Sequence, residues 1–211
     1  GYQAGLAITS GDGNIMIGAS AGSTTTDVDK AVIIGQSAGQ GNMTAAADGL
    51  IAIGYQAMNV HTTGARNIAI GYNAMSDTDA GSTSLGSSDN IFIGFQTGGG
   101  TWTNAATNGN VGIGSYVMDA AMDGALYNTA VGAYAASAIT SADNVVAIGN
   151  SAAYSLTTGA NNVAIGTNAM KVHTTGERNM AIGTNAMDDT DAGSNSLGSV
   201  DNVFIGHNAG S

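Results

Sequence analysis

The sequence predicts an all-β fold, a parallel β-solenoid of about twelve coils with a 17-residue basic repeat, and three observations predict it. A block of the form N-φ-A-I-G-x-x-A, with φ apolar, recurs along the whole chain, as in "NIMIGASAG", "NIAIGYNAM", "NVAIGTNAM" and "NVFIGHNAG". Its glycines (Gly1, Gly18, Gly35, Gly54, Gly71, Gly94, Gly114, Gly132, Gly149, Gly166, Gly183, Gly206) most often stand 17 residues apart. That period is too short for a helical-hairpin repeat, which needs about 33 residues, and fits one solenoid turn. Apolar residues alternate along each block, which is strand periodicity.

Ile precedes the glycine in ten of the eleven internal blocks and Val131 in the other, while Asn stands four before it in eight. Val163, Ile165 and Ala169 share one parity, and Ala164 and Gly166 take the other. Both sides of the strand are therefore apolar, as in strands covered twice. The expectation is Ile stacked on Ile inside, with the small side close to another backbone. Asn67, Asn90, Asn110, Asn128, Asn162, Asn179 and Asn202 fall in one column, either as an amide ladder or as residues that suit the turn before a strand. Met58, Met75, Met118, Met170 and Met187, each four after its glycine, read as plugs at the corner of the roll. Coils with glycine there are expected to turn differently.

A longer period is superimposed, because residues 51–98 match residues 163–210 at an offset of 112, or six coils. The whole of 1–211 reads as one repetitive unit. Eleven intervals at about 4.8 Å give a rod of roughly 53 Å. Both ends are expected to expose unpaired strand edges, as in an internal segment of a longer fibre or a unit that stacks end to end.

Composition removes several classes. The chain has no Cys and no Pro, with 33 Gly, 36 Ala, and 15 acids against 4 bases, for a net charge of −11. Thiol-based metal sites and disulfide scaffolds need cysteines. Nucleic-acid binding needs a basic stripe, and Lys30, Arg66, Lys171 and Arg178 are the only cations besides the terminus. A hydrophobic content of 43% is too high for simple disorder. No apolar run is long enough to span a bilayer, so no membrane insertion is expected in this segment.

Several motifs carry possible chemistry. Gly18-Ala-Ser20-Ala-Gly22 and Gly35-Gln-Ser37-Ala-Gly39 match a nucleophile elbow, yet the same slot holds Gln3, Gln56, Gln96 and Asn208 elsewhere, so the chain is expected not to be an enzyme. "DTDAGS" at Asp77 and Asp79, and "DDTDAGS" at Asp188, Asp189 and Asp191, offer oxygen ligands to calcium or are solvated turns. These two coils have 23 residues and are expected to protrude as loops. His61 and His173, both in "VHTTG", are turn residues or, in a trimer, rings of three imidazoles that bind an anion or metal. Trp102, in "GGGTWTNAATNG", is a contact for sugar or protein, or a lid over the end of its coil. The threonines do not keep phase with the repeat, which discounts an ice-binding array.

The N-x-A-I-G-x-x-A blocks, with "NTAVGAYA" at 128–135 and "TTGANNVAIG" at 157–166, resemble the head repeats of YadA-like trimeric autotransporter adhesins. They are also similar to repeat arrays in tail-fibre-like proteins of phages and bacteria. The resemblance implies a left-handed β-roll in a homotrimeric extracellular fibre, on a virion tail or a cell surface, that attaches to a glycan or protein receptor. The alternative is a purely structural filament subunit. No cofactor is expected beyond the calcium reading above.

Overall fold

The structure is a computed structural model that describes residues 1–78, 86–102, 105–188 and 199–210. Eleven three-residue strands run through it: β1 (Ile15–Ile17), β2 (Val32–Ile34), β3 (Ile51–Ile53), β4 (Ile68–Ile70), β5 (Ile91–Ile93), β6 (Val111–Ile113), β7 (Thr129–Val131), β8 (Val146–Ile148), β9 (Val163–Ile165), β10 (Met180–Ile182) and β11 (Val203–Ile205). They form one parallel sheet in which every strand pairs with the next in sequence. Parallel neighbours cannot be joined by a hairpin, so the chain must return around a full turn between strands, and the product is a β-solenoid. The register joins equivalent positions even across a 23-residue spacing, with Ile68 opposite Ile91 and Ile70 opposite Ile93. Apart from a single 3-10 turn at Ala45–Ala47, no helix interrupts the described residues.

The two sides of each strand are assigned opposite to the sequence expectation. The central residue points inward: Ala52, Ala69, Ala130, Ala147, Ala164 and Ala181 are fully buried. The flanking Ile and Val point outward and stay half-exposed, rising to 65% exposure at Val203 and Ile205. Nor does the alternation carry past the glycine: Val163 and Ile165 face out, but Ala169 faces in and is fully buried. The cause is local. Gly166 sits at φ 134° and Asn168 at φ 57°, so the chain leaves the extended region and folds back over the strand. The wall made by that return lies close, so each pair of facing positions has room for one large side chain and not two.

Core volume follows a rule of exchange within each coil. Where the inward strand residue is large, the residue four after the glycine is Gly: Met16 with Gly22, Ile33 with Gly39, Phe92 with Gly98, Phe204 with Gly210. Where it is Ala or Gly, that position holds Met or Ala: Ala52 with Met58, Ala69 with Met75, Gly112 with Met118, Ala164 with Met170. A Cβ on Gly22, Gly39, Gly98 or Gly210 would stand within 3.0 Å of the large partner or a neighbouring core side chain. The methionines named are fully buried, as corner plugs should be. The coils with glycine turn the same way as the others, however: φ is 52° at both Met58 and Gly39, and 52° and 61° at Met170 and Gly98. Glycine is there to yield volume, and the left-handed turn is common to both kinds of coil.

Gly98→Met is thus expected to destabilise by about 2–3 kcal/mol through overpacking against Phe92. Phe92→Ala is expected to cost about 3–5 kcal/mol through the cavity it leaves. The double variant should be less destabilised than the sum by at least about 1 kcal/mol, because the methionine fills the vacated space. A double-mutant cycle by urea unfolding measures this.

Polar groups inside the turn are handled by two side-chain rails of opposite direction. In the Asn column each backbone N–H donates to the side-chain oxygen of the preceding coil: Asn90 to Asn67 at 3.0 Å, Asn110 to Asn90 at 3.0 Å, Asn128 to Asn110 at 2.9 Å. The amide nitrogens also donate along the column, at 3.1, 3.1 and 3.0 Å for the same pairs, and to carbonyls such as Thr107 and Ala125. Val145 interrupts the run, having no side-chain acceptor to offer the next coil, but still donates its N–H to Asn128. The ladder resumes through Asn162, Asn179 and Asn202. Two residues before this column, at several coils, the direction reverses. The N–H of Asp12 donates to the carboxylate of Asp29, that of Asp29 to Asp48, that of Ser88 to the Asn108 amide, and that of Leu126 to Asp143. Backbone donors beyond the three-residue strands, buried in the Asn column and partly buried or exposed in the other, are thereby satisfied.

Candidate binding surface

The structure takes the residues singled out for binding off the surface. Continuing each coil seven or eight residues past its glycine gives a second inward column: Thr25, Met43, His61, Thr78, Trp102, Met122, Ile139, Leu156 and His173, all fully buried. Trp102 belongs to this column and lies edge-on to Phe92, with ring centroids 5.9 Å apart. It acts as core filling for a coil whose neighbouring strand position, Gly112, leaves room for the Phe92 ring. Fully buried, it offers no exposed surface to a sugar or protein.

His61 and His173 are buried too, instead of lying in partly exposed turns. The Nε2 of His61 lies 2.9 Å from the Gly64 carbonyl and its Nδ1 3.1 Å from the Thr78 hydroxyl. A carbonyl only accepts, so Nε2 donates to Gly64. The Nε2 of His173 is 3.2 Å from the Asn179 amide. Both imidazoles thus belong to the polar lining that buttresses the Asn column. A Cβ on Gly176 would fall 2.1 Å from the Ser199 carbonyl oxygen of the next coil, and one on Gly64 2.0 Å from that of Ser87, which is why "HTTG" ends in glycine.

Of the acidic cluster, Asp79, Asp189 and Asp191 lie outside the described residues. Asp77 is described, and the Thr101 hydroxyl donates to its carboxylate. Among the described residues no set of three or more His, Asp or Glu side chains gathers as a metal site would require. Ser20 and Ser37 occupy the left-handed turn slot at φ 57° and 56°, as do Gln56 at 53° and Asn168 at 57°, so the slot is set by backbone geometry.

Three features remain on the outside. The first is the Ile/Val face of the sheet. The second is a rail of rings beside it, running Tyr55, Tyr72, Phe95, Tyr116, Tyr134 and Tyr154 on successive coils. Tyr55–Tyr72, Tyr72–Phe95 and Tyr116–Tyr134 stack at 5.0, 5.3 and 5.1 Å, while Phe95–Tyr116 and Tyr134–Tyr154 meet edge to face. None of the six was singled out from the sequence. The signal was present in tyrosine or phenylalanine directly after Gly54, Gly71 and Gly94, but it shifts position in later coils and is hidden there.

The third feature is charge. Arg66 grips Asp89 on the next coil through Nε at 2.6 Å and Nη2 at 2.7 Å, and Arg178 grips Asp201 in the same way at 2.6 and 3.1 Å. Hydrogen bonding to the guanidinium holds both carboxyls below their ordinary range, and both pairs are solvent-exposed. Exposed pairs of this kind contribute little to stability. They do occupy both arginines. Lys30 and Lys171 form no ion pair among the described residues. No helix among the described residues is long and apolar enough to cross a membrane. Compared with protein-family models, curated proteins and solved structures, the chain gave no match.

Proposed function

We propose that the chain is a structural and attachment segment of a homotrimeric extracellular fibre, on a virion tail or a cell surface, with no catalytic turnover. The outward face of the sheet carries this reading. Its positions are occupied by Ile, Val and Met in every strand except for Thr129, with no charged residue among them. Eleven rungs at about 4.8 Å and a width of roughly 10 Å give an apolar footprint on the order of 500 Å². Contiguous apolar patches of that size mark interaction surfaces.

A second copy of the chain is the natural occupant. The face repeats along the axis and matches itself in chemistry, while a partner of opposite charge is not selected by a surface without charge. At about 25 cal/mol per Å², covering roughly 500 Å² gives each chain about 12 kcal/mol of gross stabilisation. That is comparable with the 4–15 kcal/mol cost of association, so nearly the whole length must engage. The trimer, as opposed to a dimer, follows from the resemblance of the repeats.

Sedimentation equilibrium tests the proposal. The native chain is expected at three times its 20.6 kDa mass. Ile70→Asp with Ile93→Asp, at mid-face, is expected to give single chains with an unchanged β circular dichroism spectrum, because these side chains are outward and partly exposed. A native chain that stays monomeric at micromolar concentration would refute the reading, and growth into ever longer species would favour the structural filament.

A further inference from the structure

We propose that a notch at the end of the aromatic rail, lined by Tyr134, Ser151, Tyr154 and Lys171, binds a carboxylated sugar residue. This deepens the attachment part of the reading above and rests on it. The notch has a volume of about 330 Å³ and opens to solvent. That is at the lower bound for small-molecule pockets and suits a single sugar unit held at the end of a longer glycan.

Its walls select the ligand. Along most of the rail the rings lie face to face, as for Tyr116 and Tyr134 at 5.1 Å and 5°, so their faces are covered and only edges remain. Between Tyr134 and Tyr154 the planes turn to 63° at 6.3 Å. In an edge-to-face pair the ring that presents its edge keeps its own faces open. No further ring stacks on Tyr154 among the described residues, and both tyrosines are about two-fifths exposed, at 42% and 40%. An open ring face carries the negative side of the π quadrupole, which attracts the polarised C–H bonds of a sugar. Ser151 adds a hydroxyl able to donate and accept.

Lys171 supplies the charge selection. It is one of four cationic side chains in a chain of net −11, and the two arginines are already held by Asp89 and Asp201. An exposed ammonium next to aromatic walls repels cations and favours one carboxylate. A phosphate dianion is better served by bidentate arginine or a cluster of N–H groups, and neither lines the notch. Asp188 occupies the same repeat position as Lys171 on the following coil, which further disfavours a doubly charged guest. The lining residues stand two and five after their glycines, whereas the Ile/Val face uses positions one and three before. Assembly and ligand therefore use different parts of the repeat.

The test is calorimetric titration of the native assembly with N-acetylneuraminic acid, galacturonic acid, galactose and inorganic phosphate. Saturable binding of at least one acidic sugar is expected with Kd on the order of 1 mM, and at least about tenfold weaker binding of galactose. Lys171→Gln and Tyr154→Ala should each weaken the acidic sugar at least about tenfold, while Asp188→Asn should tighten it several-fold. Arg66→Gln serves as the unaffected control. No saturable binding of either acid, equal binding of galactose, phosphate bound as well as the sugar acids, or an unchanged Lys171→Gln variant would overturn the proposal. Sedimentation of the same samples separates the two readings: an oligomer that binds no sugar acid fails this inference alone, and a monomer that binds one fails the assembly reading alone.

Discussion

Gly71→Ala is expected to lower the unfolding midpoint by roughly 8–20 °C and to disrupt the coils on either side of it. Two costs combine. Gly71 has φ 140°, a conformation that an L residue pays about 1–2 kcal/mol or more to adopt. A Cβ there would also lie 2.1 Å from the Gly94 carbonyl oxygen and 2.7 Å from its carbon, both backbone atoms that no rotamer change can move away. Relief requires the two coils to part, which breaks the bonds from the Gly94 N–H to Ile70 and from the Gln96 N–H to Tyr72, at 2.8 and 2.9 Å. A total of about 4–5 kcal/mol is among the largest effects single substitutions produce. For a chain of this length each kcal/mol shifts the midpoint by about 2–4 °C.

Gly206→Ala separates the two costs. It has nearly the same φ, 136°, but its added Cβ would meet nothing closer than 3.9 Å in this chain. It should show the strain alone, about 1–2 kcal/mol. Equal destabilisation of the two variants would show that close stacking of coils is not what selects the glycine column. Because repeat proteins can open locally, hydrogen exchange over residues 66–98 should accompany the thermal measurement.

The second large effect is expected in the Asn column. Asn90→Ala removes the acceptor of the Asn110 N–H and amide, and the donor to Thr107, Ser88 and the Asn67 side chain, all in the interior. Leaving several buried groups unpaired should cost about 3–4 kcal/mol. Asn90→Asp keeps the shape and one acceptor, but its second oxygen then faces the carbonyls that Asn90 serves. A buried carboxylate in that setting has its pKa raised in the folded state. The sign follows: the penalty is least below the ordinary Asp pKa of about 3.9, where the side chain is protonated and donates, and grows as pH rises towards the folded value. Urea unfolding of Asn90→Asp at pH 3.5 and 7, each against native protein, measures it. No difference between the two pH values would mean that the column does not depend on donation from this side chain.

The period, the strand character and the glycine column were legible in the sequence because each has a strict backbone cause: parallel register repeats every coil, and only glycine tolerates the approach of the next coil's carbonyl. The Asn column was visible as a column, but its amide-ladder role needed the hydrogen bonds to separate it from a turn preference. Which side of the strand faces in was not legible. Alternation shows that two sides differ, and the ordinary expectation that bulky residues go inside fails where the facing position, as at Met58, Met75 or Met170, already fills the volume. The exchange between Phe92 and Gly98 was the clue to that narrow interior. The burial of Trp102, His61 and His173 was not legible while the repeat was followed only to the fourth residue past its glycine. Carried to the seventh or eighth, it places them with Ile139 and Leu156 in a buried column.

The two side-chain rails give the rod a free choice of length. Most coils donate to a neighbour along at least one rail, and every joint between successive strands repeats the same three-residue parallel register. A whole turn can be added or removed by duplication or deletion without creating a new kind of junction, provided that the cut falls between equivalent positions. The near-copy of residues 51–98 at 163–210 has the form such an event would leave. Length would then be set by the number of coils, each adding about 4.8 Å along the axis.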